Sequence, residues 1–178
     1  MTSTDAITPD NAHSASPTPA HITFTARLAA GAHLLNLDCG DGVDLCWLRD
    51  GGFRVTACEP ELALARRASR RSGQAVRVCP MAGMRSVLPY DGIWLSRPTN
   101  LAGQKTTDTL RHLATLLKPG ALLALPVATD LAATMAQLAE QLKEDEIPLA
   151  IATRRTSAQF AGFTKNFRNA TSFDQSCR

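Results

Sequence analysis

Two hydrophobic periods alternate along this chain. Residues 32–37 form an almost unbroken apolar run, the pattern of a strand buried on both faces. Residues 42–49 follow with Val43, Leu45, Trp47 and Leu48 on one helical side, and Gly51-Gly52 stops them. The pair repeats: a strand over 53–58, then a helix over 61–72 with Leu62, Ala65, Ala68 and Ser69 on one face. Pro60 suits the first position of that helix, and Gly73 ends it. Further on, the pattern predicts strands over 74–79 and 91–96, a loop over 81–88 and a helix over 108–117 stopped by Lys118-Pro119-Gly120. Residues 121–127 read as a fifth strand, 131–143 as a helix capped by Asp130, and 147–153 and 163–171 as two more strands. Residues 1–23 are rich in Ser, Thr, Ala and Pro, show no period and are expected to be a disordered leader. The domain is then 24–178, opening with a helical turn over 24–30 that Gly31 caps. Strands alternating with helices predict an α/β sandwich around a mainly parallel sheet.

Composition changes this picture little. The 178 residues suffice for one domain with a real core, and 44% hydrophobic with 20% charged residues is ordinary for a globular protein. Aromatics make up only 5%, so Leu, Ala and Val must build the core. A net charge of +3 does not argue for nucleic acid. The five cysteines include no CxxC pair, which reads as reduced thiols and a cytoplasmic protein. No signal peptide or transit pattern is visible, and the longest apolar region, 120–138, is broken by Pro126, Thr129 and Asp130, so no membrane span is expected.

The chemistry concentrates where the first strand ends, at Leu37-Asp-Cys-Gly-Asp-Gly42. Glycines in such a turn let backbone approach a ligand, and the following helix offers unpaired N–H groups. Glu59, at the end of the second strand, is placed as the acid that bridges ribose hydroxyls. Alone, the glycine pair is no more than a tight turn, and Glu59 a strand end. A dinucleotide site would want a glycine where Leu45 stands, which disfavours a nicotinamide-dependent oxidoreductase. No Gly-Lys-Ser/Thr is present, so a P-loop is excluded. A smaller adenosine-bearing ligand fits better.

Taken in order, Leu34-Leu-Asn-Leu-Asp-Cys-Gly-Asp-Gly42 with Asp44, Arg54-Val-Thr-Ala-Cys-Glu59, Val76-Arg-Val-Cys79, Tyr90-Asp-Gly-Ile-Trp94 and Leu116-Leu-Lys-Pro-Gly-Ala-Leu-Leu123 resemble the class I S-adenosylmethionine-dependent methyltransferases of the small-molecule type. The resemblance spans roughly residues 27–127. It implies a Rossmann-like sandwich of about seven strands, helices on both faces, and S-adenosylmethionine over the carboxyl ends of the first strands. By the same resemblance Cys39, Gly40 and Gly42 form the cofactor turn, Glu59 holds the ribose and Pro60 lines the adenine side. Met81 and Ala82 fall where adenine is contacted, and Leu95 and Ser96 fall beside the transferable methyl. Arg97 and Asn100 lie in the acceptor loop. The chain departs from the pattern at Asn36, where the family has an acid, at Asp38, where it has a glycine, and at Met81-Ala82, where an acid is common. Asp38 either takes over from Asn36 as a cofactor ligand or intrudes on the pocket.

Other constellations carry less. Cys39, Cys58 and Cys79 end successive strands and would suit a soft metal if they met, but a fourth ligand is missing nearby, so small residues beneath a cofactor are the better reading. Arg66, Arg67, Arg70 and Arg71 crowd one helix, which is usually a solvated face. His33 and His112 have no nucleophile partner at a known spacing. The function expected is methyl transfer to a small molecule, with no residue nominated as a catalytic base. The alternative is a non-catalytic, methyltransferase-like binding or regulatory module with a degenerate cofactor site.

Overall fold

The computed structural model describes residues 17–97, 104–126, 139–140, 142–144, 149–153 and 160–165. Its strands are β1 (His33–Leu37), β2 (Arg54–Cys58), β3 (Val76–Arg77), β4 (Tyr90–Leu95), β5 (Leu117–Pro126), β6 (Leu149–Thr153) and β7 (Phe160–Lys165). The helices are α1 (Pro19–Thr25), α2 (Val43–Asp50), α3 (Leu62–Ser72) and α4 (Gln104–Leu116), with a 3-10 turn at Met81–Gly83. The strands form one sheet in the order β3-β2-β1-β4-β5-β7-β6. The first five are parallel, and β7 runs antiparallel to both β5 and β6. The mainly parallel α/β sandwich is therefore as expected.

Side-chain alternation along each strand divides the apolar residues between two layers. Leu35, Leu37, Ile93, Leu95, Leu123 and Leu125 pack with Leu110, Leu113 and Ala114 of α4 on one face. Leu34, Trp94, Leu122 and Ala124 pack with Ala20 and Phe24 of α1 and Leu48 of α2 on the other. A third cluster joins Cys39, Leu45, Ala57 and Ala68, closing the loop after β1 against α2, β2 and α3. Helices thus cover both faces, and the strand order reverses between β1 and β4. In open α/β sheets the crevice beyond the carboxyl ends of such strands is where ligands bind.

Several predicted boundaries move, each for a physical reason. The leader expected over 1–23 ends early, because α1 begins at Pro19. Thr18 caps it, accepting from the His21 N–H while the His21 ring accepts from the Thr18 N–H, and Pro19 occupies the first helical position. Phe24 belongs to this helix and the predicted turn over 24–30 is mostly its exit; residues 1–16 lie outside the described ones. Pro60 does not open α3: Glu61 is the N-cap and Leu62 the first helical residue. β3 is two residues long, not six, since only Val76 and Arg77 pair with β2 at the sheet edge. β5 starts at Leu117, and Lys118, Pro119 and Gly120 bulge within it: Tyr90 pairs with Leu117 but Gly92 with Leu122. Of the helix predicted over 131–143, residues 139–140, 142 and 143 are helical and the rest lies outside the described residues. Residues 166–171 of the predicted last strand lie outside them too.

Two glycines in the loop after β1 have distinct reasons to be glycine. Both have positive φ, 58° at Gly40 and 89° at Gly42. A Cβ on Gly42 would sit 2.8 Å from the Ala68 Cα, so this glycine lets α3 approach the start of α2. A Cβ on Gly40 would meet nothing within 4 Å. Gly42→Ala should therefore cost about 2 kcal/mol or more, combining backbone strain with overpacking, and Gly40→Ala about 1 kcal/mol, from strain alone. Urea unfolding of the two variants measures the difference; equal losses would show that the approach of Ala68 does not matter.

Candidate functional site

The carboxyl ends of β1, β2 and β4 are stitched together by backbone. The Cys39 N–H donates to the Cys58 carbonyl (3.1 Å), the Ser96 N–H to the Leu37 carbonyl (3.0 Å) and the Glu59 N–H to the Arg77 carbonyl (3.0 Å). Glu59 stands at the centre, its side chain fully buried. Its Oε2 accepts from the Gly40 N–H (2.8 Å) and its Oε1 from the Glu61 N–H (3.0 Å). Arg97 donates to the same Oε1 at 2.6 Å. One carboxylate thus joins the loop after β1, the entry to α3 and the exit of β4.

Asp38 supplies the turn geometry that a glycine would. Its φ of 46° is left-handed, a conformation that Asp tolerates better than most side chains. Its carboxyl is half-buried, and burial followed by the nearby Glu59 charge pushes its pKa up, while Arg97 draws it down. Cys39 is buried beside this pair, and burial first and Glu59 second push its thiol up to about 12. Such a thiol is not a nucleophile at neutral pH.

Asn36 does not act as the family acid. It is fully buried, and its Nδ2 donates to the Ser96 Oγ (2.8 Å) and the Trp94 carbonyl (3.2 Å). Its Oδ1 has no hydrogen-bond partner among the described residues. Ser96 is therefore held at the end of β4, where the methyl group was expected. Leu95 points instead into the core on the α4 face. Met81 packs against that same core from the 3-10 turn, and the exposed Ala82 gives its carbonyl to Arg85 (2.7 Å). Pro60 is exposed between Glu59 and the N-cap of α3. Asn100 lies outside the described residues.

A second polar group was not foreseen in the sequence. Asp44, in the first turn of α2, accepts from the Trp94 Nε1–H (2.8 Å) and pairs with His21 Nε2 (3.1 Å). Because the Thr18 N–H donates to His21 Nδ1 (3.1 Å), the ring proton belongs on Nε2, facing Asp44. The ring stacks on Trp94 with centroids 4.4 Å apart and tilts against Trp47 at 4.5 Å. Burial pushes the Asp44 carboxyl up, but hydrogen bonds from His21, Trp94 and Ser96 outweigh it and hold the pKa below the usual range. The signal was present as Thr18-Pro19-x-His21, a capping pattern hidden in a Ser/Thr/Pro-rich stretch.

The other constellations resolve plainly. Cys39 packs on the α2–α3 side of the sheet, while Cys58 and Cys79 meet on the α4 side, so only two of the three thiols come together. Among the described residues no His, Cys, Asp and Glu group is arranged to hold a metal. Arg67 and Arg71 pair with Asp41 of the glycine loop at 3.6 and 3.2 Å, which ties α3 to that loop. A cavity of about 370 Å³ lined by Arg27, Gly31, Asp91 and Lys118 contains none of the predicted site residues. No described helix is long and apolar enough to cross a membrane.

No protein-family model and no curated protein sequence matches the chain. Solved structures do match. The 1,6-didemethyltoxoflavin-N1-methyltransferase of Burkholderia thailandensis, with bound 1,6-didemethyltoxoflavin and S-adenosylhomocysteine, superposes with a TM-score of 0.64 at 19% identity, covering 83% of this chain and 77% of that one. A TehB-like S-adenosylmethionine-dependent methyltransferase of Corynebacterium glutamicum gives 0.60 at 17% identity, covering 83% and 86%. A sugar N-methyltransferase of Streptoalloteichus gives 0.52 at 19% identity over 59% of this chain, which spans only 44% of that protein's length. The fold is that of the class I S-adenosylmethionine-dependent methyltransferases.

The Asp44 pairing predicts how stability follows pH. A carboxyl held below its usual pKa contributes fully above about pH 4, the unfolded value, and loses that contribution as pH falls through the lower folded value. Asp44→Asn should cost about 1–3 kcal/mol at pH 7, and its deficit against the wild type should shrink in acid. Urea unfolding from pH 7 down to about pH 3 checks this; a pH-independent deficit would contradict it.

Proposed function

We propose that this protein is an S-adenosylmethionine-dependent methyltransferase acting on a small molecule. The observation that carries the reading is Glu59, whose two oxygens are oriented by the Gly40 and Glu61 amides beside the β1–β4 reversal. A carboxylate fixed by backbone at that place suits the two hydroxyls of a ribose. The open space above Gly40 leaves room for a ligand against the loop backbone. The residues present therefore fit an adenosine-bearing cofactor. In this reading Asp38, Cys39, Gly40 and Gly42 form its loop, and Glu59 holds the ribose. Pro60, Met81 and Ala82 border the adenine, with Ser96 by the reacting end.

The bound cofactor supplies an activated methyl group. The chain's own residues supply alignment: a rigid turn after β1, a fixed carboxylate after β2 and a hydroxyl after β4 that Asn36 and Asp44 hold in place. The described residues offer no free base at Ser96, so the favoured acceptors are those whose nucleophile needs no deprotonation by a side chain. The structural neighbour with bound 1,6-didemethyltoxoflavin and S-adenosylhomocysteine supports a small-molecule acceptor. The free cysteines support a cytoplasmic setting.

Calorimetry with S-adenosylmethionine and S-adenosylhomocysteine tests the reading. Binding is expected in about the micromolar range, and Glu59→Ala should weaken it by about tenfold or more. No binding at about millimolar ligand would overturn the cofactor assignment. Unchanged affinity in Glu59→Ala would overturn the ribose assignment alone.

A further inference from the structure

We propose that Arg97 is a specificity-determining residue of the cofactor site: it occupies the ribose carboxylate in the ligand-free protein and yields it only to a ligand bearing both ribose hydroxyls. The inference rests on the adenosine-cofactor reading above. It departs from the expected role of Arg97 as an acceptor ligand, because the guanidinium sits on Glu59 instead.

A carboxylate offers about four lone-pair sites on its two oxygens. Glu59 Oε2 spends one on Gly40, and Oε1 spends two, on Glu61 and Arg97. About one site remains, on Oε2. A ribose diol brings two O–H donors and needs two sites, one on each oxygen. One present donor must therefore leave.

The two amides are poor candidates to leave. Gly40 is fixed in the turn by the Gly42 N–H bond to the Cys39 carbonyl (2.9 Å) and by the close approach of Ala68 to Gly42. Glu61 is the N-cap of α3, and its carbonyl takes the Ala65 N–H (2.9 Å). Arg97 is different. Its side chain is 44% exposed, so its guanidinium can return to water, whereas the Glu59 side chain it pairs with is fully buried. A second hydroxyl reaches Oε1 only when Arg97 moves. The displaced cation has a second acid within its field, because Arg97 also draws down the pKa of Asp38. Asp38, the residue that stands in place of a glycine, thus gives Arg97 somewhere to go.

A nucleoside with only one ribose hydroxyl needs a single acceptor site and can bind with Arg97 in place. Arg97 therefore offsets part of the affinity of the full diol and none of that of a deoxy ligand. Removing Arg97 should restore that difference.

Calorimetry with S-adenosylhomocysteine and its 2′-deoxyribose analogue tests this on wild type and Arg97→Met. The variant is expected to bind S-adenosylhomocysteine about tenfold tighter and the 2′-deoxy analogue with little change. Weaker or unchanged binding in Arg97→Met, or equal gains for both ligands, would overturn the proposal and leave the cofactor site standing. Failure of both ligands to bind either protein would overturn the cofactor reading together with the proposal.

Discussion

A carboxylate without solvent contact must find its partners inside the protein. Glu59 finds them in three different connections: the turn after β1, the entry to α3 and the exit of β4. Much of the surrounding geometry follows from that. Gly40 must turn left-handed to aim its amide at Oε2, and Asp38 must turn left-handed two residues earlier to bring Gly40 there. Gly42 must lack a Cβ so that α3, whose N-cap amide completes the Oε1 side, can close on the loop. Arg67 and Arg71 reinforce the same contact through Asp41. The site and the packing of α2 on α3 are thus one constraint, and a change at Glu59 acts on both.

The departures from the family pattern acquire physical content in this setting. Asp38 keeps the backbone shape that a glycine would give, at the cost of a carboxyl whose pKa is pushed up by burial and by Glu59. Arg97 is the cation that faces both acids. Asn36 anchors Ser96, which also bonds Asp44. From Asp44 the polar contacts continue to His21 and so to α1, between Trp47 and Trp94. The N-terminal helix is in this way tied to the carboxyl end of β4.

Much of the sheet was legible in the chain because buried parallel strands leave dense apolar runs. Residues 32–37 and 91–96 are such runs, and they became β1 and β4 almost unchanged. Glu59 was legible from its place after β2. What the sequence hid depends on tertiary contacts. β3 shrank because an edge strand pairs only where a neighbour reaches it, and β5 absorbed Lys118-Pro119-Gly120 as a bulge that no local rule announces. The start of α1 was masked by composition, since Thr18 and Pro19 look like leader residues until His21 completes the cap. The Arg97–Glu59 pair joins residues far apart in sequence, and nothing in the spacing of an arginine after β4 marks it as the partner of an acid after β2.

We propose the Glu59 carboxylate as a ribose site built by the β1 loop and α3. A crystal structure of the protein with S-adenosylhomocysteine tests it most directly. Both ribose hydroxyls are expected within hydrogen-bond distance of Glu59, with the Gly40 and Glu61 amides still in place and Arg97 moved off Oε1. A ribose bound elsewhere, with the Arg97–Glu59 pair intact, would contradict it.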